Sequence, residues 1–223
     1  IQFHDVEMKS NLSKLLQKHL AVLAMSGAGK SYFMSVLLEE LCKRKKEQGQ
    51  IATLVFDTHG EYTSFGEPAD KEFSDFSSFT KVIDASKINI SVSNMTQSMI
   101  SSIIPSITPV QKRELFRIIS KLREDMKSGV GPFDLNSIKE EVATLDTKTA
   151  VPLQVALDEL QRLKLFSKVD SPSPFDLVKP GQLTIINLNN IISEKKKQLI
   201  VYYFSQKLFS KSDTIINNTN CLR

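Results

Sequence analysis

The chain has 223 residues, 41% of them hydrophobic, with a formal net charge of +4. That length and composition point to a folded globular chain with one sizeable core, and the modest positive charge permits a nucleic-acid partner without demanding one. No apolar run reaches the roughly 20 residues of a membrane-spanning helix, no secretory leader pattern opens the chain, and Cys42 and Cys221 share no metal-ligand spacing with His4, His19 or His59. The expectation is a soluble cytoplasmic protein with reduced thiols, no membrane contact and no zinc site.

Residues 20–25, Leu-Ala-Val-Leu-Ala-Met, form an apolar run of strand length that leads through small residues into a helical pattern from Lys30. That helix is expected to turn Phe33, Val36, Leu37 and Leu41 inward. It exits through Cys42-Lys43-Arg44-Lys45-Lys46, where positive charge suits the C-terminal end of the helix dipole, and this basic run reads as a solvated helix end rather than a nucleic-acid patch. Gly49 stops the helix and residues 52–57 read as a second buried strand, so strand, helix and strand make a parallel, right-handed unit. Residues 80–84 are a third strand, after an exposed loop at 66–78.

From residue 96 to 166 the pattern turns helical. Thr108 caps and Pro109 opens the clearest helix, with Leu115, Ile118, Ile119, Leu122 and Met126 as its apolar stripe and Gly129 as its stop. Further helices are expected over 136–145 and 152–166, the latter with Leu153, Ala156, Leu157, Leu160 and Leu163 inward. After Ser171-Pro172-Ser173-Pro174 and the turn at Lys179-Pro180-Gly181, a strand returns at 183–188, followed by a helix from 193 to about 209. The expected organisation is an α/β core begun by residues 1–92, a helical insertion over 93–170, and a return to the core over 171–223.

Ala24-Met25-Ser26-Gly27-Ala28-Gly29-Lys30-Ser31 fits the phosphate-binding loop pattern, with Ala24 where the first glycine usually stands. Gly27 and Gly29 let the backbone curl so that the N–H groups of Ser26, Gly27, Ala28, Gly29, Lys30 and Ser31 point at phosphate oxygens, and the following helix adds its positive end. Lys30 would reach the β- and γ-phosphates, the Ser31 hydroxyl would ligate Mg²⁺, and Tyr32 follows beside the nucleotide. ATP and Mg²⁺ are the expected cofactors. Asp57 ends the second strand and is followed by Thr58-His59-Gly60-Glu61-Tyr62. Because the carboxyl ends of strands in an open α/β sheet face the ligand crevice, Asp57 and Glu61 join Lys30 as catalytic candidates, with Asp57 also a candidate Mg²⁺ ligand. The alternative is that Asp57 caps the following turn and Glu61 is simply exposed.

The run from Lys18 and His19 to Ser31, followed by Val55-Phe56-Asp57-Thr58-His59-Gly60-Glu61-Tyr62, resembles the HerA group of motor ATPases, relatives of FtsK and of conjugative secretion ATPases. Gly181-Gln182-Leu183-Thr184-Ile185-Ile186-Asn187-Leu188 before a long helix is similar to a later core strand of that group. The resemblance implies a RecA-like P-loop core with a mainly parallel sheet and a helical insertion. It further implies a hexameric ring that hydrolyses ATP between subunits, drives duplex DNA through its channel and works with a NurA-type nuclease in resecting broken ends during double-strand break repair. Lys18 stands where the group usually has an Arg that approaches a neighbouring subunit's nucleotide; it supplies the charge without the bidentate fork. In the group the Walker B strand and hydrolytic Glu follow the helix near Ser193, so they are expected beyond this chain, which opens without Met. A fragment that binds nucleotide and hydrolyses it poorly alone is the expectation. Two other readings stay open, a secretion or conjugation ATPase and a non-catalytic nucleotide-binding module.

Overall fold

A computed structural model describes residues 19–70 and 74–219, which leaves the expected contact of Lys18 outside the described residues. The chain divides into two compact units, residues 1–40 and 41–223, each described by itself. In the first, an extended stretch leads into a turn at residues 26–29 and then into helix α1 (Lys30–Cys42). The strand expected at 20–25 is not formed: the stretch joins no ladder among the described strands, and Leu23 and Met25 are 91% and 83% exposed. An apolar run of strand length becomes a strand only where another edge accepts its N–H and C=O groups. On α1 Leu41 is buried as expected, joined by Leu38 and Cys42, while Phe33 and Val36, also expected inward, are exposed.

The second unit is built on a parallel sheet. Its strands are β1 (Thr53–Asp57), β2 (Thr80–Asp84) and, later in the chain, β5 (Leu183–Asn187), with β5 in the middle. Leu183, Ile185 and Ile186 are fully buried, which is why this segment reads as an unbroken apolar run rather than an alternating one. The register aligns Asp57, Asn187 and Asp84 at one edge. Each caps the turn that follows it: Asp84 accepts from the Ser86 amide at 2.9 Å and Asn187 from the Asn189 amide at 3.0 Å, as Asp57 does more extensively. β1 and β2 each pair with β5 and not with each other. The chain between β2 and β5 therefore carries a long helical excursion.

That excursion holds α2 (Gln97–Ile103), α3 (Pro109–Asp125), α4 (Leu135–Val142) and α5 (Thr147–Arg162), and the sheet is followed by α6 (Glu194–Thr219). α3 begins as expected, with a reciprocal capping box in which Thr108 accepts from the Gln111 amide and the Gln111 side chain accepts from the Thr108 amide. It leaves through a widened turn at Met126–Val130, where Gly129 takes φ +98°. α5 departs from expectation at both ends. It starts at Thr147, not at Pro152, because the Asp146 carboxylate accepts from the Lys148 and Thr149 amides and nucleates the first turn; Pro152 sits inside the helix, where its missing N–H leaves the Lys148 carbonyl without the usual partner. It ends at Arg162, and Phe166–Ser167 becomes a short strand β4 paired in parallel with β3 (Ile90–Ser91). Leu115, Ile119, Ile138, Leu153 and Leu157 of these helices share one core with Ile186, Leu188, Ile200 and Phe204. No described helix is long and apolar enough to cross a membrane.

Candidate functional site

The loop of the first unit is the segment expected to bind phosphate. Gly27 and Gly29 sit at φ +77° and +86°, in the left-handed region that other residues enter at a cost. A Cβ added at either would meet nothing within 4 Å, so conformation rather than crowding demands glycine there. The Ala28 amide donates to the Met25 carbonyl at 3.1 Å, closing the turn, and the Phe33 amide donates to the Gly29 carbonyl at 2.9 Å as α1 begins. Residues 26–30 are exposed. The Lys30 ammonium donates to the Ala24 carbonyl at 3.2 Å, curled back over the loop it would bridge to phosphate. Ser31 and Tyr32 follow in the first helical turn, with Tyr32 77% exposed. Open amides, a cation and a hydroxyl at a helix N-terminus fit the donor set for a nucleotide's phosphates with Mg²⁺.

In the second unit Asp57 is 2% exposed, and its carboxylate is surrounded by its own loop. Oδ1 accepts from the amides of His59 (3.2 Å), Gly60 (2.8 Å) and Glu61 (3.1 Å), and Oδ2 from Tyr62 (2.9 Å). Four consecutive N–H groups turned onto one carboxylate offset its burial and leave little lone-pair capacity for anything else. The donors are unequally shared, three amides on Oδ1 and one on Oδ2, so any further ligand would meet Asp57 at Oδ2. Among the described residues there is no cluster of three or more His, Cys, Asp or Glu side chains suited to holding a metal. Glu61 and His59 project from this loop as exposed side chains.

The loop after β1 rests on the loop after β5. Leu188 donates its amide to the Asp57 carbonyl at 2.8 Å, and Gly60, at φ +77°, faces Asn189, whose Nδ2 lies 3.4 Å from where a Cβ would stand. Asn189 was not among the residues singled out from the sequence. The only signal for it there is its position two residues beyond a strand-ending Asn.

A second carboxylate centre, also missed, lies where the helical excursion begins and ends. Asp170 Oδ1 accepts from the Ser91 amide and the Tyr203 hydroxyl, both at 2.7 Å, and Oδ2 accepts from the Asn94 side chain at 2.7 Å. Lys207 lies over the Tyr203 ring, 5.8 Å from its centroid, and donates to the Asn94 carbonyl, while Arg123 donates to the Met95 carbonyl. Burial, followed by the bond to Asp170, pushes the Tyr203 hydroxyl well above its ordinary pKa of 10.0. Lys207 is pushed down by burial, with Arg123 adding to the effect and Asp170 opposing it.

Comparison with known proteins gives a consistent result. A family model described as the central domain of the helicase HerA matches residues 1–208. The DNA double-strand break repair helicase HerA of Saccharolobus solfataricus is 25% identical over an alignment of 227 residues, covering 94% of this chain and 42% of that protein. The protein of the same name from Sulfolobus acidocaldarius is 22% identical over 230 residues, covering 98% and 44%. A probable helicase of Methanocaldococcus jannaschii is 53% identical over 58 residues, 26% of this chain and 10% of that protein. The chain thus spans less than half the length of the HerA proteins it matches.

Proposed function

The chain belongs to the helicase HerA central-domain family, and we propose from that premise that it is the nucleotide-binding part of an ATP-driven DNA translocase that acts on broken duplex ends. The observation that carries the reading is the pair of left-handed glycines, Gly27 and Gly29, immediately before Lys30 at a helix N-terminus. That arrangement exposes amides to an anion while the lysine supplies a mobile charge for the β- and γ-phosphates. The relatives named as DNA double-strand break repair helicases support DNA as the substrate.

In this reading Ser26, Gly27, Ala28 and Gly29 would cradle the phosphates, Lys30 would offset the charge on the β- and γ-phosphates, and the Ser31 hydroxyl would hold Mg²⁺, which would supply neutralising charge to the phosphate oxygens. Tyr32 lies beside the nucleotide. Asp57 works through its loop: by gathering four amides it fixes the backbone that carries Glu61, and both stay with Lys30 as catalytic candidates of the same proposal. A contact from Lys18 to a neighbouring subunit's nucleotide, a hexameric ring and a NurA-type nuclease partner belong to the same proposal.

ATP turnover of the full-length protein, measured with and without linear duplex DNA, tests it. Duplex is expected to stimulate turnover, and Lys30→Ala is expected to lower nucleotide affinity at least tenfold, roughly the loss of one charge-assisted contact, and to abolish the stimulation. Unchanged affinity in Lys30→Ala would remove the loop from the site. Turnover indifferent to duplex would move the protein to the secretion-type ATPases, and nucleotide binding without turnover to the non-catalytic modules.

A further inference from the structure

Near the start of α6, Lys195, Gln198, Leu199 and Tyr202 follow one another at the i, i+3, i+4 and i+7 spacing that sets side chains on one helical face. In the second unit this face forms one wall of an open groove of about 320 Å³, and the end of α2 with the Pro105 turn beyond it forms the other. Ile103 of α2 and Leu199 are both buried, so the floor of the groove is apolar.

The polar groups along it are lightly engaged. The Tyr202 hydroxyl meets Ser102 Oγ at 3.4 Å, beyond the usual length of an O–H···O bond, while Ser102 donates to the Ser98 carbonyl at 3.0 Å. The Lys195 ammonium stands 3.7 Å from Glu159, and with side chains 48% and 58% exposed the pair is screened by water. Gln198 is exposed, and its carboxamide has no hydrogen-bond partner among the described residues.

These groups select a ligand by chemistry and by spacing. Lys195 is the one ionised side chain among the described residues that line the groove, which favours a single negative charge and is too little for a polyanion. A carboxamide donates and accepts at once, as a peptide group does, so the two can pair reciprocally. The rise from Lys195 to Leu199 is about 6 Å along the helix, close to the ~6.7 Å between residues i and i+2 of an extended chain, whose side chains share one face. We propose that this groove docks an extended peptide segment of a protein partner, in which one residue separates an acidic side chain from an apolar one. The carboxylate meets Lys195, the apolar side chain enters between Leu199, Ile103 and Pro105, and the backbone between them pairs with Gln198. The Tyr202 hydroxyl takes the next peptide group. A small carboxylate would leave Gln198 and Tyr202 unused. None of these residues belongs to the phosphate-binding loop or to the loop after β1, so the proposal stands apart from the ATPase reading.

The test is fluorescence anisotropy of labelled hexapeptides with blocked ends, titrated with the full-length protein. The probes are Gly-Glu-Ser-Leu-Ser-Gly and its reverse order Gly-Leu-Ser-Glu-Ser-Gly, each with controls in which Lys replaces Glu or Ser replaces Leu. One of the two orders is expected to bind at least tenfold more tightly than both of its controls. Lys195→Glu is expected to lower affinity for that peptide at least tenfold and to raise affinity for its Lys control, a reversal that loss of structure cannot produce. Gln198→Ala is expected to weaken binding about fivefold, the net effect of one hydrogen bond. Both side chains are exposed, so the fold should tolerate either change. Equal affinity for all the peptides, or affinity unchanged in both variants, would overturn the proposal. So would a shift of oligomeric state in Lys195→Glu by sedimentation, which would assign this face to a second copy of the chain, or displacement of the peptide by hexanoate at equal concentration, which would assign it to a small carboxylate.

Discussion

Asp57 and Asp170 do the same job by different routes. Each is a carboxylate that accepts several hydrogen bonds and so holds a loop in one shape. Asp57 takes all four of its donors from the five residues that follow it, whereas Asp170 draws on Ser91, Asn94 and Tyr203, which lie 79, 76 and 33 residues away. Asp57 shapes a loop that presents side chains at the strand ends. Asp170 joins the entry and exit of the helical excursion to the face of α6. A local cap can form as soon as its strand does, but a distributed one forms only after the chain has closed long loops, and its bonds report the finished tertiary structure.

The largest effect is expected at Asp57. Asp57→Ala leaves four loop amides without an acceptor at a buried position, and should cost about 3 kcal/mol, allowing for water to rescue part of the loss. Denaturant melts would show it as a lower midpoint with an unchanged slope. Asp57→Asn keeps an oxygen for three of the amides but turns an NH₂ toward one donor, so an intermediate loss is expected. A variant as stable as the parent would mean the loop is held by something other than this carboxylate.

At Asp170 the expected loss is about 2 kcal/mol for Asp170→Ala, because the Ser91 amide and the Tyr203 hydroxyl remain buried without their acceptor. The informative measurement is a double-mutant cycle with Tyr203→Phe. If the cluster acts as one network, the cost of Asp170→Ala should shrink by 0.5 kcal/mol or more in the Tyr203→Phe background. Additive costs would reduce the cluster to separate contacts. Smaller again is Gly60→Ala, about 1 kcal/mol, from a side chain forced to φ +77° and pressed toward Asn189. Its effect should be confined to the paired loops after β1 and β5, visible as faster amide exchange there and nowhere else.

The same contrast explains what could be read from the sequence. The parallel strands at 53–57, 80–84 and 183–187, the Thr108 cap and the glycine geometry of the phosphate loop all follow from patterns contained in a few neighbouring residues. Asp57 had two sequence readings, and the capping contacts of one of them are present. The start of α5 was misplaced because two local signals compete six residues apart, and the Asp146 cap prevails over Pro152. The strand at 20–25 needs a partner edge that no pattern within the run can supply. β3, β4, Asn189 and Asp170 were illegible for one reason: two-residue strands and distributed networks are defined by partners remote in the chain.

The smallest expected effect concerns alkaline stability, and it separates the two carboxylates through the one partner that titrates. Tyr203 is fully buried, and its folded pKa stands above the unfolded value of 10.0 because burial and the bond to Asp170 both favour the neutral hydroxyl. A group whose pKa is raised on folding binds its proton more tightly in the native state. Its stabilising contribution is therefore complete below about pH 10 and is lost progressively as pH rises above that value. Tyr203→Phe should lower stability at neutral pH by about 1 kcal/mol through the lost hydrogen bond, yet flatten the decline above pH 10. Parent and variant stability curves should thus converge as the solution becomes alkaline. Curves that stay parallel would show that the Tyr203 hydroxyl is as free to ionise in the folded chain as in the unfolded one, and that Asp170 is held in place by its amide donors alone.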